Sequence, residues 1–326
     1  MTDEIIRMAY SGSRPWHGKG ADLSEGADIE TWKREAGLNF IVAKAPVRYA
    51  PDGLEGGTQV FADRFVTFRK DTGTPLGVVS DKYKIVQPAE IIDFYRKFVE
   101  AGSMTLETAG TLLDSRRVWG LARLDHEIKL PGGDVTRPYF LLTTSYDGET
   151  ATIGTFTGVR VVCWNTLNMA YEQREGDKVK SIVSGFSIGH MSTFKPAQAQ
   201  AQTENLIRAA NEYEARAQLL AQTGVNDDAM LRYFVGLVGK EDQKGHMTKQ
   251  SAAKIDRLIA LYRSGPGAQL ASAKGTAFGL LNAVTRFVDH EAPERKSGNG
   301  RLVSAWYGAG KTLKNRAMSE ALALAA

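Results

Sequence analysis

Cysteine is nearly missing from this 326-residue chain, in which Cys163 stands alone. A disulfide framework is therefore excluded, and a reducing compartment, the cytoplasm, is expected. In an apolar stretch, a lone cysteine reads as a small buried hydrophobe rather than a nucleophile. Long hydrophobic runs are missing too: nothing approaches the ~18 apolar residues of a membrane-spanning helix. Met1-Thr2-Asp3-Glu4-Ile5-Ile6-Arg7 lacks the apolar core of a signal peptide, so no membrane role is expected. The histidines, His17, His126, His190, His246 and His290, are scattered without metal-ligand spacing, and neither a metal nor a cofactor is expected. No Gly-x-Ser-x-Gly elbow, Cys/His pair or acid/base carboxylate pair stands out, which leaves an enzyme without an anchor.

What is present is a chain able to bury a core, 43% hydrophobic, with a net charge of +4. The excess is small overall, yet Arg295, Lys296, Arg301, Lys311, Lys314 and Arg316 are answered after Glu294 only by Glu320. Three regions follow from the patterning: an irregular, Gly-rich segment over 1–59, an α+β sheet domain over 60–194, and a helical region over 195–326. The expected class is α+β, with an antiparallel sheet and packed helix in the N-terminal half and a mostly α-helical C-terminal half.

Within the first region, Asp28–Ala36 reads as a short helix. Phe61–Arg69 and Leu76–Ser80 read as strands around the turn Asp71–Pro75. Pro88 opens a helix whose Ile91, Ile92, Tyr95, Phe98 and Val99 form one stripe, and Gly102 stops it. Strands are expected at Met104–Leu112 and Arg117–Leu124. A meander follows over Tyr139–Leu167, with Val159–Leu167 as a single strand. Helices are expected over Pro196–Gln222, Asp228–Val238, Thr248–Arg263, Thr276–His290 and Ser304–Leu324.

Two constellations could carry chemistry. Ala305-Trp306-Tyr307-Gly308-Ala309-Gly310-Lys311-Thr312 matches a relaxed phosphate-loop pattern. A polar loop precedes it rather than a strand, and about fourteen residues follow, too few for a nucleotide-binding sheet. The stronger constellation is basic and aromatic. Arg117, Trp119, Leu121 and Arg123 share a strand face, Arg116 sits in the adjoining turn, Arg160 and Trp164 share a face of the later strand, and Lys82, Tyr83 and Lys84 precede the first long helix. Cations neutralise phosphates and rings stack bases, so such faces suit single-stranded nucleic acid. The alternative is that Trp119 and Trp164 are core and the arginines merely solvated.

Ser80-Asp81-Lys82-Tyr83-Lys84-Ile85-Val86-Gln87-Pro88, Glu107-Thr108-Ala109-Gly110, Arg117-Val118-Trp119, Thr144–Gly148, Val159–Leu167, Trp16-His17-Gly18 and Gly275–His290 together resemble the phage/plasmid-like proteins of domain-of-unknown-function family 932. In that family a His-Thr pair follows the Asn-Thr-Leu strand, whereas here Ile188-Gly189-His190-Met191-Ser192 stands there. The resemblance implies carriage on a phage or plasmid. A more distant likeness is to phage single-strand annealing proteins, which pack a helix on a small antiparallel sheet and assemble as rings or filaments on DNA.

The leading expectation is thus a cytoplasmic, homo-oligomeric, non-enzymatic single-stranded DNA-binding protein acting in annealing and recombination. Arg116, Arg117, Arg123 and Arg160 would contact phosphates alongside Lys82 and Lys84. Trp164 or Tyr146 would stack bases, and Lys311, Lys314 and Arg316 would form a second basic surface. The alternative is a protein-interaction factor of a mobile element, in anti-defence or replication control. A third reading is a nucleotide-dependent enzyme using Gly308–Thr312.

Overall fold

The computed structural model describes residues 5–12, 20–51, 57–160, 165–168, 171–175, 178–182, 185–194, 204–293, 301, 304–305 and 308–326. In chain order it begins β1 (Ile5–Ser11), β2 (Ala21–Leu23), α1 (Ile29–Glu35), β3 (Val42–Tyr49), β4 (Gln59–Arg69), β5 (Pro75–Ser80), α2 (Pro88–Asp93) and α3 (Arg96–Glu100). Then come β6 (Met104–Leu112), β7 (Arg117–Leu124), β8 (Ile128–Leu130), β9 (Asp134–Ser145), β10 (Thr152–Arg160), β11 (Asn165–Asn168), β12 (Tyr171–Glu175), β13 (Lys178–Ile182) and β14 (Gly185–Ile188). The helices α4 (Glu204–Gln222), α5 (Asp227–Val238), α6 (Lys249–Ser264), α7 (Ala277–Arg286), a π-helical turn (Phe287–Glu291) and α8 (Ala309–Ala323) complete it. The class is α+β, and the second half of the chain carries strands as well as helices. Two compact units interleave along the chain: Met1–Asp125 with Phe140–Thr155 and Gly185–Glu204, and His126–Tyr139 with Phe156–Ser184 and Asn205–Ala326.

The first unit holds two sheets. In the larger one, β14, the N-terminal part of β10, the C-terminal part of β9, β7, β6, β1 and β2 are neighbours in that order. Strand β1 lies antiparallel to β6 and parallel to β2, so part of the segment expected to be irregular is inner sheet. The β6–β7 hairpin falls where the sequence places it, pairing Leu112 with Arg117 and Met104 with Leu124. Its turn is left-handed at three successive non-glycine residues, Leu113, Asp114 and Ser115, with φ of 50°, 54° and 65°. Arg69 donates to the Ser115 hydroxyl at 2.9 Å and the Arg116 guanidinium to the Leu113 carbonyl at 2.9 Å, fixing this turn.

Asp28 accepts the Thr31 amide to start α1, and Ile29 and Trp32 bury one side of it. Glu90 accepts the Gln87 amide at the start of α2, with Pro88 in the first turn. The expected single helix over 88–102 is instead α2 and α3, separated at Phe94 and Tyr95. Sheet contacts explain the break. The Tyr95 hydroxyl donates to the Gly120 or Phe140 carbonyl (2.7 and 3.1 Å) and accepts the Leu142 amide (2.9 Å). Gly120 permits this approach, because a Cβ there would lie 2.9 Å from the Tyr95 ring. Phe94, Phe140 and Phe186 pack together beneath it, each buried aromatic contributing about 1.5–3 kcal/mol.

In the second unit, α7 is the central helix, buried at every position from Ala277 to Thr285. Thr276 caps it, as Thr248 caps α6 and Asn226 caps α5. On α4, Tyr213, Ala217 and Leu220 line the buried face at helical spacing. The Tyr233 hydroxyl donates to the Ala317 carbonyl at 2.8 Å, linking α5 to α8. Buried Ser272 donates to Asp134, anchoring the start of β9 to the loop before α7. Val159–Leu167 is not one strand: Val159 pairs with Thr166 and Gly158 with Leu167, so the chain reverses between β10 and β11. Residues 161–164, Cys163 and Trp164 among them, lie outside the described residues.

Candidate functional site

Most of the cations singled out in the sequence are engaged within the fold. Arg117 opens β7 only 6% exposed, with its guanidinium 2.9 Å from Glu149. Arg123 meets Glu107 at 2.6 Å across the β6–β7 pair. Arg116 is half-buried and spends its Nε on its own turn. Tyr146 is fully buried, and burial pushes its phenol far up in pKa. It therefore has no face open to a base, which corrects the stacking role expected for it. Trp119, at 2% exposure, is likewise core. The Arg160 side chain and Trp164 lie outside the described residues.

At the other end of the chain, Lys314 is buried against Asp289 at 2.9 Å, with side chains 1% and 7% exposed. It is a core ion pair, not a surface cation, so the second basic surface loses its central member. Arg316 donates to the Gly236 carbonyl at 3.1 Å. Half-buried Lys311, in the first turn of α8, has its ammonium pKa lowered by burial and by the nearby Lys314 charge. Helical residues, not a strand, occupy the described positions 301 and 304–305 ahead of it, so the phosphate-loop context is not met there.

Lys82 and Lys84 do face solvent. Tyr83 between them points inward, its hydroxyl donating to the Ser145 carbonyl at 2.6 Å and its ring stacked on His190 at 4.2 Å. Burial raises the Tyr83 phenol pKa, so it stays a neutral donor. Lys44 donates to the carbonyls of Asp81 and Tyr83, each at 2.8 Å. The two ring nitrogens of His190 lie 3.0 Å from the carbonyls of Lys84 and Thr150. His190 thus clamps the loop that displays the two lysines.

On β3, on β4 and just after β4 lie cations that sequence reasoning passed over. Arg48, Arg64 and Lys70 are exposed and, like Lys82, have no ion-pair partner among the described residues. They accompany Tyr49, 45% exposed, and Phe61, 53% exposed, whose rings meet edge to face at 6.3 Å. The signal was there in the alternation of Ala43, Ala45, Val47 and Tyr49, obscured by Pro46 and the Gly-rich surroundings. Separately, in the second unit, buried Asn282, Thr285 and Asp289 set polar groups along α7 and the π-helical turn that follows it. Among the described residues no group of three metal-ligating side chains occurs, and no helix is long and apolar enough to cross a membrane.

The family model described as Domain of unknown function (DUF932) matches residues 75–306. No curated protein and no solved structure matches the chain.

Proposed function

The chain belongs to the family of the domain of unknown function (DUF932), and from that premise we propose that it binds single-stranded DNA. The observation that supports this reading is the set of exposed cations Arg48, Arg64, Lys70 and Lys82, which have no ion-pair partner among the described residues, with Lys84 and exposed aromatic rings in the same unit. Each cation that meets a phosphate releases a condensed counterion, which makes such binding tight at low salt and steeply salt-dependent. In this reading the protein acts as a homo-oligomer, ring or filament, in annealing on a phage or plasmid, within the cytoplasm and without chemistry of its own. Those finer statements rest on the resemblance to annealing proteins drawn from the sequence motifs and on the near absence of cysteine.

The test is a salt titration of a fluorescent ~20-nucleotide oligothymidylate. Four or five phosphate contacts predict a slope of log K against log salt of about −3 to −3.5, at ~0.7 per contact. No binding at ~50 mM salt overturns the proposal. Mass measurement with and without the oligonucleotide reads the assembly.

A further inference from the structure

We infer that single-stranded DNA lays its bases on the outward face of the β3–β4–β5 sheet, a deepening that rests on the DNA-binding reading above. Alternation and register define the two faces along 42–46, 64–69 and 77–80, while Tyr49, Gln59 and Phe61 lie beyond an irregularity where the β3–β4 register shifts and Asp63 is left-handed. Ala43 opposes Phe68 and Ala45 opposes Val66, which in turn opposes Val78. Arg64 opposes Ser80, and Tyr49 opposes Gln59. The inward set holds Val42, Thr67 and Val79, at 2%, 0% and 5% exposure. There Gly77 lies so close to Asp147 that a Cβ on it would stand 2.4 Å from the Asp147 Cα. The outward set is open: Val78 is 57% exposed, and Ile41, just ahead of β3, is 51% exposed.

Three properties of that face fit one occupant. It presents rings, since Tyr49 and Phe61 project at one end and Phe68 lies along β4. The Tyr49 hydroxyl donates to the Gln59 side-chain oxygen at 2.9 Å, and Phe61 buttresses the ring, so the pair is held before any ligand arrives. It is also cationic: Arg64 stands on the face, its guanidinium donating among the described residues to the neighbouring Asp63 carbonyl at 3.4 Å, and Lys70 closes the far end. Finally, among the described residues it is poor in acid. The outward positions 43, 45, 64, 66, 68, 78 and 80 include no carboxylate; exposed Asp63, at the irregularity between Phe61 and Arg64, is the acid nearest them, and Asp71 in the turn is held by Arg69 at 2.7 Å.

Charge complementarity selects a polyanion, and exposed rings select one whose bases are unpaired, because a duplex hides its base faces. The eight residues of β3 span about 25 Å, room for about four nucleotides. Strands β3 and β4 precede residue 75, where the family match begins, so this platform is an attribute of this chain rather than of the matched region.

The test uses the full-length chain, oligothymidylate and fluorescence anisotropy at ~50 mM salt. Phe61→Ala and Tyr49→Ala should each weaken binding about fivefold or more, at the lower end of what one stacked base contributes. Phe61→Trp should restore it, and Arg64→Gln should reduce the salt slope by ~0.7. Both rings are exposed, so circular dichroism should be unchanged. Wild-type binding that neither ring substitution weakens overturns the platform and leaves the DNA-binding reading standing. Absence of wild-type binding overturns both. Should the wild type self-associate through this face, with Val78→Lys abolishing assembly but not DNA binding, the platform is likewise overturned in favour of a protein contact.

Discussion

Lys314→Met separates two accounts of one lysine. If Lys314 is a phosphate contact, removing its charge costs affinity and leaves stability alone. The structure says the opposite: Nζ lies 2.9 Å from an Asp289 carboxylate oxygen, with both side chains nearly fully buried. Methionine roughly preserves the volume, so no cavity term enters. What remains is a buried carboxylate that has lost its Lys314 partner, a change that costs about 3–5 kcal/mol in comparable pairs. With a urea slope of ~2.5–3 kcal/mol per molar, the midpoint of the second unit should fall by about 1–2 M. The assay is urea unfolding followed by far-UV circular dichroism, read beside DNA anisotropy on the same preparation. Adding Asp289→Leu removes the carboxylate as well, and the double variant should recover part of the loss. A midpoint within ~0.3 M of wild type, with the salt slope reduced by ~0.7, refutes the burial argument and returns Lys314 to the DNA.

Two further outcomes follow from local geometry. Asp114 is exposed and sits in the middle of the left-handed run Leu113-Asp114-Ser115, where a Cβ is disfavoured; Asp114→Gly should stabilise by about 0.5–1 kcal/mol and Asp114→Val should destabilise, both read in urea midpoints. At acid pH the first unit should weaken through the network of Glu30, Lys33, Asp93 and Arg96, whose contacts run from 2.6 to 3.1 Å. For Asp93, burial pushes the pKa up but the Lys33 and Arg96 bonds outweigh it, and Arg96 and Lys33 hold Glu30 down as well. Folded values below the ordinary 3.8 and 4.5 mean this stabilisation is complete above those values and is lost as pH falls through the lowered ones. Midpoints at pH 6, 4 and 3 should drop accordingly and drop less in Arg96→Gln; an equal drop in both removes the network from the explanation.

Local signals were the legible part of the fold. Caps at Asn226, Thr248 and Thr276 announce α5, α6 and α7, and Leu113–Arg116 separates two alternating runs that pair as β6 and β7. Elements defined by distant partners were not legible. Strand β1 is seven residues long and finds its antiparallel partner in β6, about a hundred residues on. Strand β3 carries Pro46, which argues against a central strand and is tolerated because β3 is an edge of its sheet. Val159–Leu167 reads as one strand because a β-branched run conceals where the chain turns, and only the pairing of Arg160 with Asn165 reveals it. The site was harder still. Alternation puts Arg117, Trp119 and Arg123 on one face, but the pattern alone cannot say which face meets water, and the answer lay in Glu149 and Glu107 elsewhere in the chain.

Charge therefore has to be located before it can be counted. The net excess of +4 and the run of lysines and arginines near the C-terminus suggest a basic tail, yet Lys314 is neutralised by Asp289, and nearby in sequence Glu291 binds Arg257 at 2.6 Å. A cation facing its own carboxylate offers no counterion release to a phosphate, because its charge is already compensated. A cation without one does. Among the described residues of the first unit, such cations gather on and around a three-stranded sheet that the sequence marked only for its turn and two of its strands. Lys82 and Lys84 adjoin it, carried on a loop that Lys44, Tyr83 and His190 hold in place. If that sheet binds DNA, the residues that matter are those the fold left unpaired, and substituting the paired arginines should change stability first and affinity little.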